Sequence, residues 1–371
     1  MSKKNVFILS GEASGDLHAA NLVRAWKKNS SQFEFQAWGG DRLSSEGVEI
    51  KKHIRELAFM GFVEVLQNLP TILKNFKLCK QQILDFKTDV LLLVDYPGFN
   101  LRMAKWAKSK GIKVIYYISP TVWAWKENRV YQIKRDVDRM YAILPFEPAF
   151  YKKFDIEVQY FGHPLLDEIE RFHQLERTEL TLHSSKPILA LLPGSRKQEL
   201  KKKLPVMLKA AEAFQETHQV VIAGAPNLPE TFYQEFQLGE NVSFIQNQTY
   251  QLLSQANMAL VTSGTATLET ALFRVPQVVC YKSSAISYRI AKALVKIKFI
   301  SLVNLIMDKE IVRELIQHEC QSDLMVGELE KLQDGKEQRT DMLKEYDRLI
   351  HLLGQNGCSE KMAKDLIQYL N

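Results

Sequence analysis

Short apolar runs, several of which end at a turn rich in glycine or proline, constrain the fold of this chain more than any other feature. Residues 90–94 read VLLLV, a continuous apolar run of the kind that is buried on both faces of a parallel sheet. Segments with the apolar spacing of a helix alternate with these runs. The sequence therefore predicts β-α-β units, and hence doubly wound α/β domains.

The predicted strands form two groups of similar build. The strands of the first half are Val6–Ser10, Phe33–Trp38, Val90–Val94, Val114–Ile118 and Met140–Leu144. Those of the second half are Ile188–Leu192, Gln219–Ala223, Val242–Ile245, Ala259–Thr262 and Gln277–Tyr281. Helices are predicted over Asp16–Lys28, Lys74–Phe86 and Lys197–Thr217, and from about residue 309 to the end.

A polar, charge-rich stretch over residues 160–186 separates the two groups of strands. We therefore expect one domain over 1–165, a second over 186–345, and a helical tail over 346–371 that could pack back on the first domain. Ligands of open α/β sheets bind at the carboxyl ends of the strands. Two such domains facing each other across a cleft would each hold one ligand.

Composition excludes several classes of protein. Of the 371 residues, 46% are hydrophobic and 25% are charged, which is typical of a globular protein. A net charge of +6 is too small to indicate nucleic-acid binding by itself. The four cysteines lie far apart, which favours reduced thiols in a cytoplasmic protein. No stretch approaches the roughly 20 apolar residues of a membrane span, and the N-terminal apolar run is too short for a signal peptide.

The run LALLPGSRKQEL begins the second half with a strand, a turn and a helix. Arg196 then lies beside the exposed N–H groups of the first helical turn, where a cation opposes the helix dipole. This placement is favourable if an anion lies between them, and arginine suits phosphate. An ordinary surface arginine explains the same spacing.

The run VTSGTATLETA repeats this arrangement further along the chain. Ser263, Gly264 and Thr265 are small enough to let backbone N–H groups approach a phosphate. Glu269 lies one helical turn later, where a carboxylate can accept both hydroxyls of a ribose. A capped helix with a solvated glutamate is the alternative. Two phosphate-type turns in one domain favour a nucleotide site.

The first half carries carboxylates at its turns. Asp95 follows the buried run VLLLV directly, where it can act as a base or merely cap the next helix. The turn SGEASGD over residues 10–16 has the shape of a phosphate loop, yet it contains Glu12 and Asp16. Two carboxylates disfavour a phosphate there. His18 and His163 are more easily explained as structural than as catalytic residues.

Residues 56–80 combine apolar residues with lysines that follow them. The apolar residues include Phe59, Met60 and Phe62, and the lysines include Lys74 and Lys77. An amphipathic surface element beside lysines can lie on an anionic bilayer. A pair of core helices explains the pattern equally well.

Taken together, these motifs resemble the lipid-A-disaccharide synthase family over nearly the whole chain. The shared motifs, in the order of the family, are SGEASGD, FMGFVEVL, VDYPGFN, YISPTVWAW, LPFE, FGHP, LLPGSR, SGTATLE and SLVNL. The last departs from the family pattern, because Val303 stands where proline is expected, while Asn304 is kept.

The resemblance implies a GT-B fold, with two Rossmann-like domains around a cleft, and an inverting transferase at the inner membrane surface. It would join UDP-2,3-diacylglucosamine to 2,3-diacylglucosamine 1-phosphate. Asp95 would be the base; Glu12, Ser14 and Asp16 would lie on the acceptor side. Asn304 would belong to the UDP side.

The resemblance implies no metal, no cofactor and no nucleic acid, and it leaves the oligomeric state open. Another UDP-sugar enzyme of the same fold, such as an epimerase, is the alternative activity. A nucleotide-sugar sensor or a membrane-surface module is the alternative that is not an enzyme. The Asp-x-Asp within RDVDR, at residues 135–139, has the spacing of a metal site, but its setting indicates chance.

Overall fold

A computed structural model describes most of the chain as two compact units. The first comprises Met1–Glu168 and Gly354–Asn371, and the second comprises Ile169–Leu353. The residues described are 3–57, 69–175, 180, 185–225, 228–236, 238–239, 241–284, 288–289, 292 and 297–371.

The first unit contains a parallel sheet of seven strands in the order β3-β2-β1-β4-β5-β6-β7. Its strands are β1 (Lys4–Ser10), β2 (Phe33–Gly39), β3 (Glu49–His53), β4 (Val90–Val94), β5 (Lys113–Tyr117), β6 (Arg139–Ala142) and β7 (Gln159–Tyr160). The strand order reverses between β1 and β4. This reversal is the position at which doubly wound sheets hold their ligands.

Helices cover both faces of this sheet. They are α1 (Ala13–Asn29), α2 (Asp41–Ser45), α3 (Leu69–Asp85), α4 (Pro97–Ser109), α5 (Val122–Trp125), α6 (Val130–Asp136), α7 (Glu147–Lys152) and the start of α8 (Pro164–Gln174). Alternate residues of β1 point to opposite faces. Val6 and Ile8 pack with α1, whereas Phe7 and Leu9 pack with residues of α3 and α4. Each face therefore has its own apolar core.

The second unit contains a parallel sheet of six strands in the order β10-β9-β8-β11-β12-β13. Its strands are β8 (Ile188–Leu192), β9 (Gln219–Gly224), β10 (Val242–Gln246), β11 (Ala256–Thr262), β12 (Gln277–Tyr281) and β13 (Glu314–Ile316). Its helices after α8 are α9 (Lys197–Ala211), α10 (Glu230–Gln234), α11 (Thr249–Leu253), α12 (Thr265–Leu272), α13 (Leu302–Met307), α14 (Ser322–Glu330) and α15 (Glu337–Leu353). Here the strand order reverses between β8 and β11.

The last helix, α16 (Cys358–Leu370), belongs to the first unit and packs against α1. The Asp167 carboxylate accepts hydrogen bonds from the N–H groups of Gly357 at 2.6 Å and Ser359 at 2.8 Å, so it caps this helix. The chain returns to the first unit at Gly354 rather than at residue 346. The reason is that α15 is continuous through residue 346 and buries Tyr346 in the second unit.

The predicted helix Lys197–Thr217 is too long, because α9 ends at Ala211 and a 3₁₀ turn follows. The prediction of helices alone from residue 309 is also wrong, because β13 lies within that region. The sequence prediction missed β3 and β7 as well. All three are short strands at the edges of their sheets, and β3 carries Glu49, Lys51 and Lys52, which mask any apolar run.

Candidate active site

The turn between β1 and α1 packs closely against an aromatic ring. A Cβ atom placed on Gly11 would lie 2.4 Å from Cγ of Tyr96, so only glycine leaves room for that side chain. Glu12 follows in extended backbone and is half-buried, and Ser14 is half-buried in the first turn of α1. These two polar residues therefore remain accessible at the carboxyl edge of the first sheet.

Asp95 lies at the end of β4, which is paired directly with β1. Both Asp95 and Tyr96 adopt φ of 48°, in the left-handed region that side chains rarely occupy. The Asp95 carbonyl accepts hydrogen bonds from the Tyr116 hydroxyl at 2.6 Å and from Asn100 Nδ2 at 2.8 Å. The strained turn is thus held by neighbouring side chains, as is typical of functional sites.

The environment of Asp95 shifts the pKa of its carboxyl toward neutral pH. Burial, and to a lesser extent the negative charge of Glu12, raise the pKa of its carboxyl to about 7, while the N–H of Tyr96 opposes the shift. No lysine or arginine among the described residues forms an ion pair with it. A carboxylate with a pKa near neutrality can accept a proton from a reacting hydroxyl.

Asp16 has a different environment from Glu12, although both belong to the same motif. It is buried, and its carboxylate accepts hydrogen bonds from the N–H groups of Gly40 at 2.6 Å and Arg42 at 3.0 Å. Burial raises the pKa of Asp16, and these N–H groups oppose the rise. The side chain therefore fixes the turn after β2.

One further titratable side chain near this edge was not distinguished by sequence reasoning. Glu147, which begins α7, is buried and accepts a hydrogen bond from Nε1 of Trp123 at 3.3 Å. Burial raises the pKa of Glu147 to about 7. The sequence signal for Glu147 was the motif LPFE, which directly follows a strand. His18 and His163 are buried, and burial lowers their pKa values to about 4 and 3, so both are neutral at pH 7.

The two carboxylates of the Asp-x-Asp spacing have separate partners. Asp136 is buried and paired with Arg135 at 2.6 Å. Asp138 is paired with Lys108 and accepts a hydrogen bond from the N–H of Val114 at 2.8 Å. Both carboxylates therefore form local ion pairs and hydrogen bonds.

In the second unit, the turn between β8 and α9 requires glycine. Gly194 has a φ of 102°, and a Cβ atom on it would lie 3.0 Å from Thr262 Cγ2. Arg196 occupies the position just before α9, and its side chain is 58% exposed. Its Nη1 lies 3.1 Å from Oε1 of Glu199. The guanidinium is therefore close to the helix N-terminus and accessible to solvent.

The turn between β11 and α12 lies beside the first, because β8 and β11 are neighbours. Gly264 has φ 142° and ψ −163°, a conformation restricted to glycine, and α12 begins at Thr265. Ser263 Oγ donates a hydrogen bond to the carbonyl of Ile300 at 2.8 Å. One turn along α12, Glu269 accepts a hydrogen bond from the Tyr250 hydroxyl at 3.0 Å.

Asn304 is buried behind this turn. Its Nδ2 donates to Oε1 of Glu314 at 2.9 Å, and the same oxygen accepts the N–H of Ser301 at 2.9 Å. The preceding residue, Ile300, provides the carbonyl that Ser263 contacts. Asn304 and Glu314 therefore hold the segment that Ser263 contacts.

The described part of the predicted membrane segment is amphipathic. On α3, Lys74, Lys77 and Leu73 are exposed, whereas Cys79 and Ile83 belong to the core of the first unit. Phe59, Met60 and Phe62 lie outside the described residues. Among the described helices, none is both long and apolar enough to cross a membrane.

Comparison with known proteins identifies close relatives over the full length. The profile described as lipid-A-disaccharide synthetase matches residues 6–367. The lipid-A-disaccharide synthase of Syntrophus aciditrophicus is 39% identical, covering 98% of this chain and 97% of that protein. That of Trichlorobacter lovleyi is 37% identical, covering 97% and 96%.

Solved structures share the fold at low sequence identity. The UDP-GlcNAc 2-epimerase from Neisseria meningitidis, bound to UDP-GlcNAc, has a TM-score of 0.65 and 13% identity, covering 98% of this chain and 100% of that one. The glycotransferase of kitacinnamycin has a TM-score of 0.67 and 15% identity, covering 100% and 99%.

Two Rossmann-like units with this strand order define the GT-B class, whose fold glycosyltransferases and epimerases share. Within that class, the chain belongs to the lipid-A-disaccharide synthase family and is a UDP-sugar-dependent glycosyltransferase. The match favours this activity over the epimerase alternative.

Proposed function

We propose that the chain joins UDP-2,3-diacylglucosamine to 2,3-diacylglucosamine 1-phosphate and releases UDP. The observation that carries this proposal is Asp95, a carboxylate with a pKa of about 7, held in a strained turn at the end of a buried strand. An alcohol is a poor nucleophile, so its transfer reaction needs a base of this kind.

In the proposed reaction, the 6-hydroxyl oxygen of the acceptor attacks the anomeric carbon of the donor sugar. The bond between that carbon and the diphosphate oxygen breaks, and Asp95 takes the hydroxyl proton. One in-line displacement inverts the anomeric centre. Glu12 and Ser14 are accessible for hydrogen bonds to the acceptor sugar, and Asp16 fixes the adjacent turn.

On the donor side, negative charge builds up on the leaving diphosphate. We assign Arg196, the N–H groups of Ser263, Gly264 and Thr265, and the two helix N-termini to its stabilisation. Glu269 is assigned to the ribose hydroxyls. Asn304 is assigned to support of the Ser263 turn.

We also propose that the protein works at the periphery of the inner membrane, because both substrates carry acyl chains. Lys74 and Lys77 are exposed on one face of α3 and suit anionic headgroups. The apolar Phe59, Met60 and Phe62 are assigned to contact with the acyl region. An oligomer is compatible with this proposal but is not required by it.

The test is incubation of the purified protein with UDP-diacylglucosamine and the lipid acceptor. We expect UDP and the disaccharide 1-phosphate to appear in equal amounts. A new nucleotide sugar or free monosaccharide, formed without acceptor, would instead indicate an epimerase. Binding of UDP without any product would indicate a nucleotide-sugar sensor.

A further inference from the structure

A lysine is completely buried beneath the two turns of the second unit. Lys203 lies two helical turns into α9, and its side chain is 0% exposed. Its Nζ donates a hydrogen bond to Oγ1 of Thr262 and lies 3.5 Å from Oε2 of Glu199. Buried lysines are rare in proteins, because an ammonium loses its hydration on burial.

The Lys203 ammonium lies close to both turns. Thr262 is the last residue of β11 and directly precedes Ser263. A Cβ atom placed on Gly194, in the turn after β8, would lie 3.6 Å from Lys203 Nζ. The charge therefore lies between the carboxyl ends of the two strands whose turns carry the phosphate-type motifs.

The local partners of Lys203 compensate its charge incompletely. Among the described residues, Glu199 is the one carboxylate within ion-pair distance of it. The same carboxylate is paired with Arg196 at 3.1 Å, so one negative charge is shared by two cations. Burial lowers the pKa of Lys203, and Glu199 opposes this shift. The positive charge of Lys203 is therefore costly at this position, and an anionic ligand at the adjacent turns would stabilise it.

Stability alone does not account for a lysine at this position. Replacement of a buried ion pair by apolar residues of similar volume is often neutral or stabilising. An unbranched apolar side chain would fill the same space beneath the turns without desolvation of a charge. The ammonium is therefore better explained by a ligand than by packing.

We propose that Lys203 supplies a buried positive charge to a nucleoside diphosphate bound at the two turns. It is a positioning residue: it acts from beneath the turns through Thr262 and Gly194, whereas Arg196 acts from the solvent side. This inference rests on the proposed function, and it names the diphosphate as the group that the cluster recognises.

The test compares binding of UDP and uridine by calorimetry in three variants. Lys203→Met removes the charge, Lys203→Gln keeps a donor for Thr262 without the charge, and Lys202→Met is the matched control. Lys202 is exposed on the same helix and one residue away. We expect both Lys203 variants to bind UDP about tenfold or more weakly, the scale of one charge–charge interaction at partial burial, with uridine affinity unchanged.

Thermal melting of the same variants completes the test. Melting shows that both Lys203 variants are folded at the temperature of the calorimetry, and we expect Lys202→Met to match the wild type in every measurement. Unchanged UDP affinity in Lys203→Met would overturn the proposal. Full recovery of affinity in Lys203→Gln, or equal losses for UDP and uridine, would also overturn it and leave a structural role.

The proposed function can be judged separately from this inference. Wild-type protein that forms disaccharide, together with a Lys203→Met variant of normal UDP affinity, would reject the inference alone. Wild-type protein that neither binds UDP nor forms disaccharide would reject the proposed function and, with it, the inference.

Discussion

At the scale of single residues, the site depends on carboxylates whose environments differ. Asp95 has a raised pKa because of burial and Glu12, whereas Asp16 is fixed by backbone N–H groups. The sequence placed both at strand ends, since their motifs follow apolar runs. It could not distinguish their environments, because the N–H groups around Asp16 come from a turn about 24 residues away along the chain.

The first residue-scale prediction concerns the pH dependence of transfer. Asp95 must be ionised to accept a proton, so kcat/KM should fall below a pH of about 7, the pKa of its carboxyl in the structure. Removal of the neighbouring negative charge in Glu12→Gln should lower that pKa and move the acid limb to lower pH. Measurement of pH profiles for both proteins checks this. An acid limb at the same pH in both would show that the charge of Glu12 does not act on the titrating group.

The second residue-scale prediction concerns UDP. Arg196→Ala should weaken UDP binding by about 1.5–3 kcal/mol, the usual contribution of a hydrogen bond to a charged group, and leave uridine binding intact. Glu269→Ala should weaken both ligands, because its assigned partner is the ribose. Calorimetry on both variants checks these roles. Wild-type affinities in both would exclude them.

Some site residues are beyond sequence reasoning. The burial of Lys203 and of Asn304 results from contacts with Thr262 and Glu314, which lie 59 and 10 residues away. Helical spacing places Lys203 on the same face of α9 as the buried Leu200 and Leu204, whereas Lys201 and Lys202 lie off that face and are exposed. A lysine on an apolar face normally extends its ammonium to solvent, so only the packed unit shows that Nζ of Lys203 is buried against Thr262.

At the scale of elements, the central strands were predictable, whereas three of the four edge strands, β3, β7 and β13, were not. β4 and β8 are wholly buried, so their sequences are continuous apolar runs. β3 is partly exposed and β13 has only three residues, so neither produces a clear pattern. The turns after the central strands were therefore well placed, and these turns carry the candidate site.

The prediction at the element scale concerns α3 and the segment before it. Replacement of Phe59, Met60 and Phe62 by serine should reduce binding to vesicles. Lys74→Glu with Lys77→Glu should reduce binding to anionic vesicles alone, by about 1 kcal/mol or more for each lysine. Lys105→Glu on α4, also exposed, is the control. Vesicle cosedimentation checks this, and unchanged binding in both variants would place the membrane contact elsewhere.

At the scale of the whole molecule, the two units repeat one topology. In each sheet the first strand along the chain lies at the reversal of strand order, and each reversal carries glycine turns. The two-domain α/β architecture was predictable from the rhythm of apolar runs. The packing of α16 on the first unit has no local sequence pattern that indicates it, because its partner α1 lies more than 300 residues earlier in the sequence.

In the proposed mechanism, Asp95 removes the proton of the acceptor hydroxyl. Asp95→Asn keeps the shape of the side chain and removes its basicity. Turnover should fall by about 10²–10⁴, the range for general-base catalysis, while UDP affinity stays at the wild-type value. Because the folded-state pKa is raised, Asp95 lowers stability as pH rises from about 4 to about 7, and the loss persists at higher pH. The variant should therefore melt no lower than the wild type at pH 8.

The decisive measurement is turnover and melting of Asp95→Asn beside the wild type at pH 8. A large loss of disaccharide formation, with an unchanged or higher melting temperature and unchanged UDP affinity, is the predicted result. Near-normal turnover with a stability loss of about 1 kcal/mol would contradict it, because that combination is expected of a residue that only caps α4.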